Sequence, residues 1–109
     1  MKTELPMLAG NYIRMANAHD ADGVARCFSN AAEVHDEGGV HRGGDAIRDW
    51  SRATSEKYAP TIVVADYQPT APGGVVTGDV HGDFPGSPLR MRFDFTFGAG
   101  TIDKLEISA

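Results

Sequence analysis

The segment Leu89-Arg-Met-Arg-Phe-Asp-Phe-Thr-Phe97 alternates without interruption. Leu89, Met91, Phe93, Phe95 and Phe97 share one side of an extended chain, and Arg90, Arg92, Asp94 and Thr96 share the other. A strand with one greasy and one charged face must belong to a sheet covered on one side only. Three neighbouring segments, Thr61 to Tyr67, Val75 to Phe84 and Thr101 to Ile107, show the same period and are separated by "PTAPGG", "PGSP" and "GAG". These read as strands joined by hairpin loops.

The covering layer comes earlier in the chain. Leu5, Leu8, Tyr12, Met15 and Ala16 recur at three- and four-residue intervals, which predicts a helix from about Leu5 to Ala18 with Tyr12 in its apolar stripe. Asp20 caps a short second helix carrying Val24, Cys27 and Phe28. A third helix follows Gly43-Gly44 with Asp45 as its cap and Ile47, Trp50, Thr54 and Tyr58 inward, and Pro60 helps end it. Helices on one face of a curved antiparallel sheet define an α+β fold, and 109 residues without a repeat or linker predict a single domain, 1–109.

Bulk properties exclude several functions. Ten basic residues against fifteen acidic ones, scattered along the chain, give a net charge of -5 and argue against nucleic acid as a partner. No apolar run has the length of a membrane span, and "MKTELPMLAGNY" lacks the pattern of a secretion signal, so a cytoplasmic location is expected. The lone Cys27 excludes an internal disulfide and reads as a small buried residue. No redox or metal motif appears, so no cofactor is expected.

"EVHDEGGVHR", Glu33 to Arg42, concentrates the titratable groups. With Gly38-Gly39 as a two-residue turn, Asp36 stands opposite His41, with Cβ atoms about 4.5 to 5.5 Å apart. Alternation groups Asp36 with Ala32 and Val34, hence toward the apolar interior, and turns Glu33, His35 and Glu37 outward. An inward acid is costly unless paired or used. Asp36 and His41 therefore read either as a partly solvated pair or as a general base and its tuner; a one-residue slip would reverse the facing. Gly78 and Gly82 interrupt the apolar side of Val75 to Phe84 and mark either a bend or room for a ligand. Asp79, His81 and Asp83 share the opposite side, where a dimer contact is the better reading and a metal site the weaker one.

"YIRMANAHDADGVARCF", "AAEVHDEG" and "GGDAIRDW", in that order, resemble the ketosteroid isomerases and SnoaL-like polyketide cyclases of the nuclear transport factor two-like superfamily. The resemblance runs from Tyr12 to Trp50 by motif and onward by strand order. It implies a cone-shaped sheet wrapped on three helices, also called cystatin-like, with a pocket between the layers. It also implies a homodimer through the outer sheet face. Tyr12 matches the isomerases' oxyanion donor and Asp36 their proton-moving aspartate, while Phe93 stands where they carry a second donor. The pocket walls are then Met15, Val34, Trp50, Val80, Phe93 and Phe95, with Trp50 and Tyr12 readable as core aromatics too.

Two functions fit such a pocket. One is a cofactor-independent isomerase, cyclase or lyase that uses Asp36, Tyr12 and His41 on a small apolar carbonyl compound. The other is a binding or assembly protein without turnover, suggested by Phe93 and by a last strand that ends close to Ala109, which predicts no C-terminal lid. A third class, an interaction protein working through the outer sheet face, predicts a filled cone.

Overall fold

A computed structural model describes residues 4–109; the first three residues of the N-terminal stretch read above lie outside it. Helices α1 (Met7–Asn17) and α2 (Ala21–Arg26) are followed by a hairpin of β1 (Phe28–Asp36) and β2 (Gly39–Arg42). Helix α3 (Gly44–Tyr58) precedes the strands β3 (Thr61–Thr70), β4 (Gly73–His81), β5 (Leu89–Phe97) and β6 (Ile102–Ser108). The six strands form one sheet in the order β2-β1-β6-β5-β4-β3. This is the expected α+β architecture, with one topological difference. β1 and β6 pair in parallel, whereas every other neighbouring pair is antiparallel. A parallel pair needs a long crossover, here everything between the two strands, and nothing local in the sequence announces it.

Helix α1 begins at Met7 after Pro6 and buries Ala9, Tyr12 and Ile13. At its far end the Asn17 amide accepts from the Ile62 backbone N–H at 2.7 Å and donates to the Ile62 carbonyl at 2.9 Å. This contact satisfies backbone groups on β3, an edge strand, and pins the helix over that side of the sheet. In α2 the Asp20 carboxylate accepts from the Gly23 N–H at 2.9 Å, as expected of its cap. Asp20→Ala is therefore expected to cost about 1 kcal/mol, read as a lower urea midpoint with an unchanged slope.

The start of α3 differs from expectation. Gly43, not Asp45, is the N-cap, with a φ of 88° that favours glycine and no side-chain cap bond. Asp45 lies inside the first turn, where its negative charge suits the helix dipole.

The hairpin register also needs correction. Glu37 (φ 51°) and Gly38 (φ 77°) form the turn, both with the positive φ of a type I′ geometry. Gly39 is thereby drawn into the strand opposite Asp36, and His41 pairs with Val34 instead of Asp36. A displacement by two positions keeps His41 on the face of Asp36, diagonal to it.

The core lies between helices and sheet. Phe95, Ile47, Ile102 and Leu105 are its largest fully buried side chains, and the Tyr12 ring stands edge-on to Phe28 and Phe95 at 6.0 and 5.6 Å. Gly78 does not open ligand space. A Cβ there would lie 3.1 Å from both Ile62 Cγ2 and the Val63 carbonyl, where the β3 register shifts between Val64 and Asp66, so the glycine admits a bulged neighbour. Gly82, past the strand end, is similarly closed in by the Tyr58 carbonyl.

Candidate functional site

A cavity of about 330 Å³ opens between α1, α3 and the inner sheet face, within the size range of small-molecule pockets. Its walls are mostly apolar, with Ala16, Ile62, Val80, Met91, Phe93 and Ile107 contributed by the core layer. Tyr12 lines the interior, 2% exposed. The exposed Glu37, Pro85 and Leu89 mark the mouth, and one wall is the inner side of α3: Trp50, Ser51, Thr54, Ser55 and Tyr58.

Asp36 stands at the end of β1, half-buried in the cavity wall, and its Oδ2 accepts a 3.1 Å hydrogen bond from Trp50 Nε1. Burial pushes its pKa above the ordinary aspartate range. The Trp50 bond opposes this, the neighbouring Glu37 charge adds to it, and His41 and a backbone bond at Glu37 oppose it again. Burial is the dominant cause. Trp50→Phe removes the leading stabiliser of the carboxylate, so the Asp36 titration midpoint should move to higher pH, as followed by carbon-detected NMR; a downward move would contradict this arrangement.

Tyr12 differs from the other cavity phenol. The hydroxyl of Tyr58 donates to Glu37 Oε1 at 3.1 Å, whereas that of Tyr12 makes no hydrogen bond among the described residues. Burial first, then the charge of Asp36, raises the Tyr12 pKa, so its proton stays on at any physiological pH.

Of the residues expected at the site, Tyr12, Asp36, Trp50, Val80 and Phe93 come together around the cavity. Met15, Val34 and Phe95 lie outside its lining. Met15 points toward Gly23, where a Cβ would meet its sulfur, Val34 is fully buried under the helices, and Phe95 packs on Tyr12 and Phe97. His41 also lies outside, its ring 5.9 Å from that of Trp50, near enough to act on Asp36 through charge but without a hydrogen bond to it among the described residues.

Glu37 and Tyr58 were not anticipated as cavity groups. Glu37 reads as outward by alternation, but it sits in the turn, where alternation no longer applies. The inner spacing of α3 does carry a signal for Tyr58. Phe84, expected at the end of a strand from Val75, lies with Pro85 in the β4 to β5 loop, because β4 ends at His81.

Asp79, considered with His81 and Asp83, is engaged by Arg90 through two bonds of 2.9 and 3.1 Å. Among the described residues no group of three or more His, Cys, Asp or Glu side chains is placed to hold a metal, and no helix is long and apolar enough to cross a membrane. Cys27 caps the end of α2, half-buried, with its thiol donating to the Gly23 carbonyl at 3.3 Å.

A family model for the SnoaL-like domain matches residues 9–100. The chain belongs to the SnoaL-like domain family. Among solved structures, this SnoaL-like chain is similar to a candidate polyketide cyclase from Sinorhizobium meliloti, at 31% identity over 95% of each chain with a TM-score of 0.92. A protein with a ketosteroid isomerase-like fold from Catenulispora acidiphila, solved with trimethylamine, is 12% identical over 97% of this chain and 87% of that one, with a TM-score of 0.87. Rv0760c of Mycobacterium tuberculosis, solved with estradiol-17beta-hemisuccinate, is 14% identical over 94% and 91%, with a TM-score of 0.76. At such identities the last two show a shared fold alone. No curated protein matches the sequence.

Proposed function

We propose that this SnoaL-like chain is a cofactor-independent acid/base enzyme that shifts a proton α to the carbonyl of a small apolar compound, as an isomerase, cyclase or lyase does. One observation carries the reading. A half-buried carboxylate, Asp36, and a buried phenol with no partner among the described residues, Tyr12, line the same apolar cavity. In this mechanism Asp36 removes the proton, its raised pKa bringing its basicity closer to that of the carbon acid. The Tyr12 hydroxyl donates to the enolate oxygen, and its freedom from protein partners leaves that bond available to the substrate. Trp50 holds the carboxylate in place, and His41 tunes it from beyond the lining. That two neighbours of the fold were solved with organic molecules supports reading the cavity as a ligand site.

The same reading includes a cytoplasmic location and a homodimer through the outer sheet face, where Arg90 is paired with Asp79 and His81 is exposed. A second reading, ligand binding without turnover, is favoured by the buried Phe93, an apolar ring that lines the cavity at the position matched to the isomerases' second donor. Incubating the protein with small apolar ketones in deuterated water separates the two. Catalysed deuterium uptake at the α carbon supports the enzyme, and a ketone that binds without exchange supports the binding protein.

A further inference from the structure

The polar groups of the cavity are distributed unevenly by charge. Two carboxylates, Asp36 and Glu37, line it, and among the described residues no Arg, Lys or His does. Each acid is coupled to an aromatic side chain: Trp50 donates to Asp36, and Tyr58 donates to Glu37. Phe84 stands edge-on to Tyr58 with ring centroids 5.8 Å apart. Two basic side chains close to these aromatic rings are outside the lining. His41 is beside Trp50, and Lys57, fully solvated, holds its Nζ 5.0 Å from the Tyr58 ring centroid.

Carboxylate oxygens next to aromatic rings are the chemistry that recognises an organic cation, through a charge-assisted hydrogen bond and ring quadrupoles together. An anion in the same place would meet two like charges with no compensating cation in the lining among the described residues. We infer that the cavity selects an amine-bearing apolar ligand, with Glu37 at the mouth as counter-ion and the rings of Tyr58 and Phe84 as the surrounding wall. The deep end sets the rest of the ligand's chemistry. Tyr12, 2% exposed and without a hydrogen-bond partner among the described residues, offers one donor to an acceptor such as a carbonyl oxygen. An amine at one end, an apolar body and a carbonyl at the other match this order of groups, whereas carboxylates and phosphorylated compounds do not. The inference rests on the cavity being the ligand site and does not require Asp36 to transfer a proton.

Trp50 is the chain's single tryptophan and part of the cavity wall, so its fluorescence reports binding directly. Benzylamine, benzyl alcohol and benzoate, matched in size and differing in charge, are titrated at neutral pH, with calorimetry as a second readout. Benzylamine should bind about ten-fold more tightly than benzyl alcohol, and benzoate more weakly than either. Glu37→Gln should collapse the amine's advantage. Glu37 lies exposed in the turn, so the substitution places no strain on the core. Raised ionic strength on the unaltered protein gives the same information without a variant, because it should weaken the amine and spare the alcohol. Equal affinities for amine and alcohol, an advantage that survives Glu37→Gln, or a preference for benzoate would each overturn the cation assignment while leaving the cavity a ligand site. No response to any of the three would overturn both.

Discussion

Replacing Asp36 with asparagine is expected to slow deuterium uptake into a bound ketone by about 10²- to 10⁴-fold, the usual contribution of a positioned general base. The amide keeps the shape of the carboxyl and can still accept from Trp50 Nε1, so the ligand should continue to bind. Stability should move the opposite way from activity. The folded-state pKa of Asp36 is raised, so its stabilising contribution is fully present only below the unfolded aspartate value, about 3.9, and is lost as pH rises through the folded pKa. At neutral pH the ionised side chain weakens the fold relative to a neutral one. Asp36→Asn should accordingly raise the Tm at pH 7, with the difference closing in acid. A slower enzyme that is also more stable cannot be explained by misfolding. An unchanged exchange rate would remove Asp36 from the mechanism.

Tyr12→Phe should lower kcat by about 10²- to 10³-fold with little change in KM, the signature of a donor used mainly when charge develops on the substrate oxygen. The substitution is close to silent for the fold. The ring retains its edge-on contacts with Phe28 and Phe95, and the hydroxyl it loses has no hydrogen bond within the described residues. The hydroxyl borders the cavity, so its removal should leave stability nearly unchanged. Steady-state kinetics with thermal melts on the same preparation check both halves. A destabilised variant with undiminished kcat would reverse the assignment, making Tyr12 a structural residue.

What could be read from the residues follows from how local each signal is. β5 runs from Leu89 to Phe97, the expected limits, because every residue in it obeys one period. The Asp20 cap was legible because its bond to Gly23 spans three residues. The hairpin register was not. Gly38-Gly39 and Glu37-Gly38 are both acceptable turns, and choosing between them moves the partner of Asp36 from His41 to Gly39. Which members of an inward row line a cavity is also a long-range matter. Phe93 and Phe95 share one face of one strand, yet α1 places Tyr12 against Phe95 and leaves Phe93 to the cavity. The parallel join of β1 to β6 and the Phe84-Pro85 wall depend on chain paths that no short pattern encodes.

The central physical claim is that the carboxyl of Asp36 borders an apolar space that a ligand can occupy. Carbon-detected NMR titration of that one carboxyl, with the cavity empty and then filled by a small ketone, tests it most directly. The account predicts a midpoint above that of an ordinary aspartate, displaced again when the ligand enters. A midpoint at or below the ordinary value, unmoved by the ligand, would contradict it.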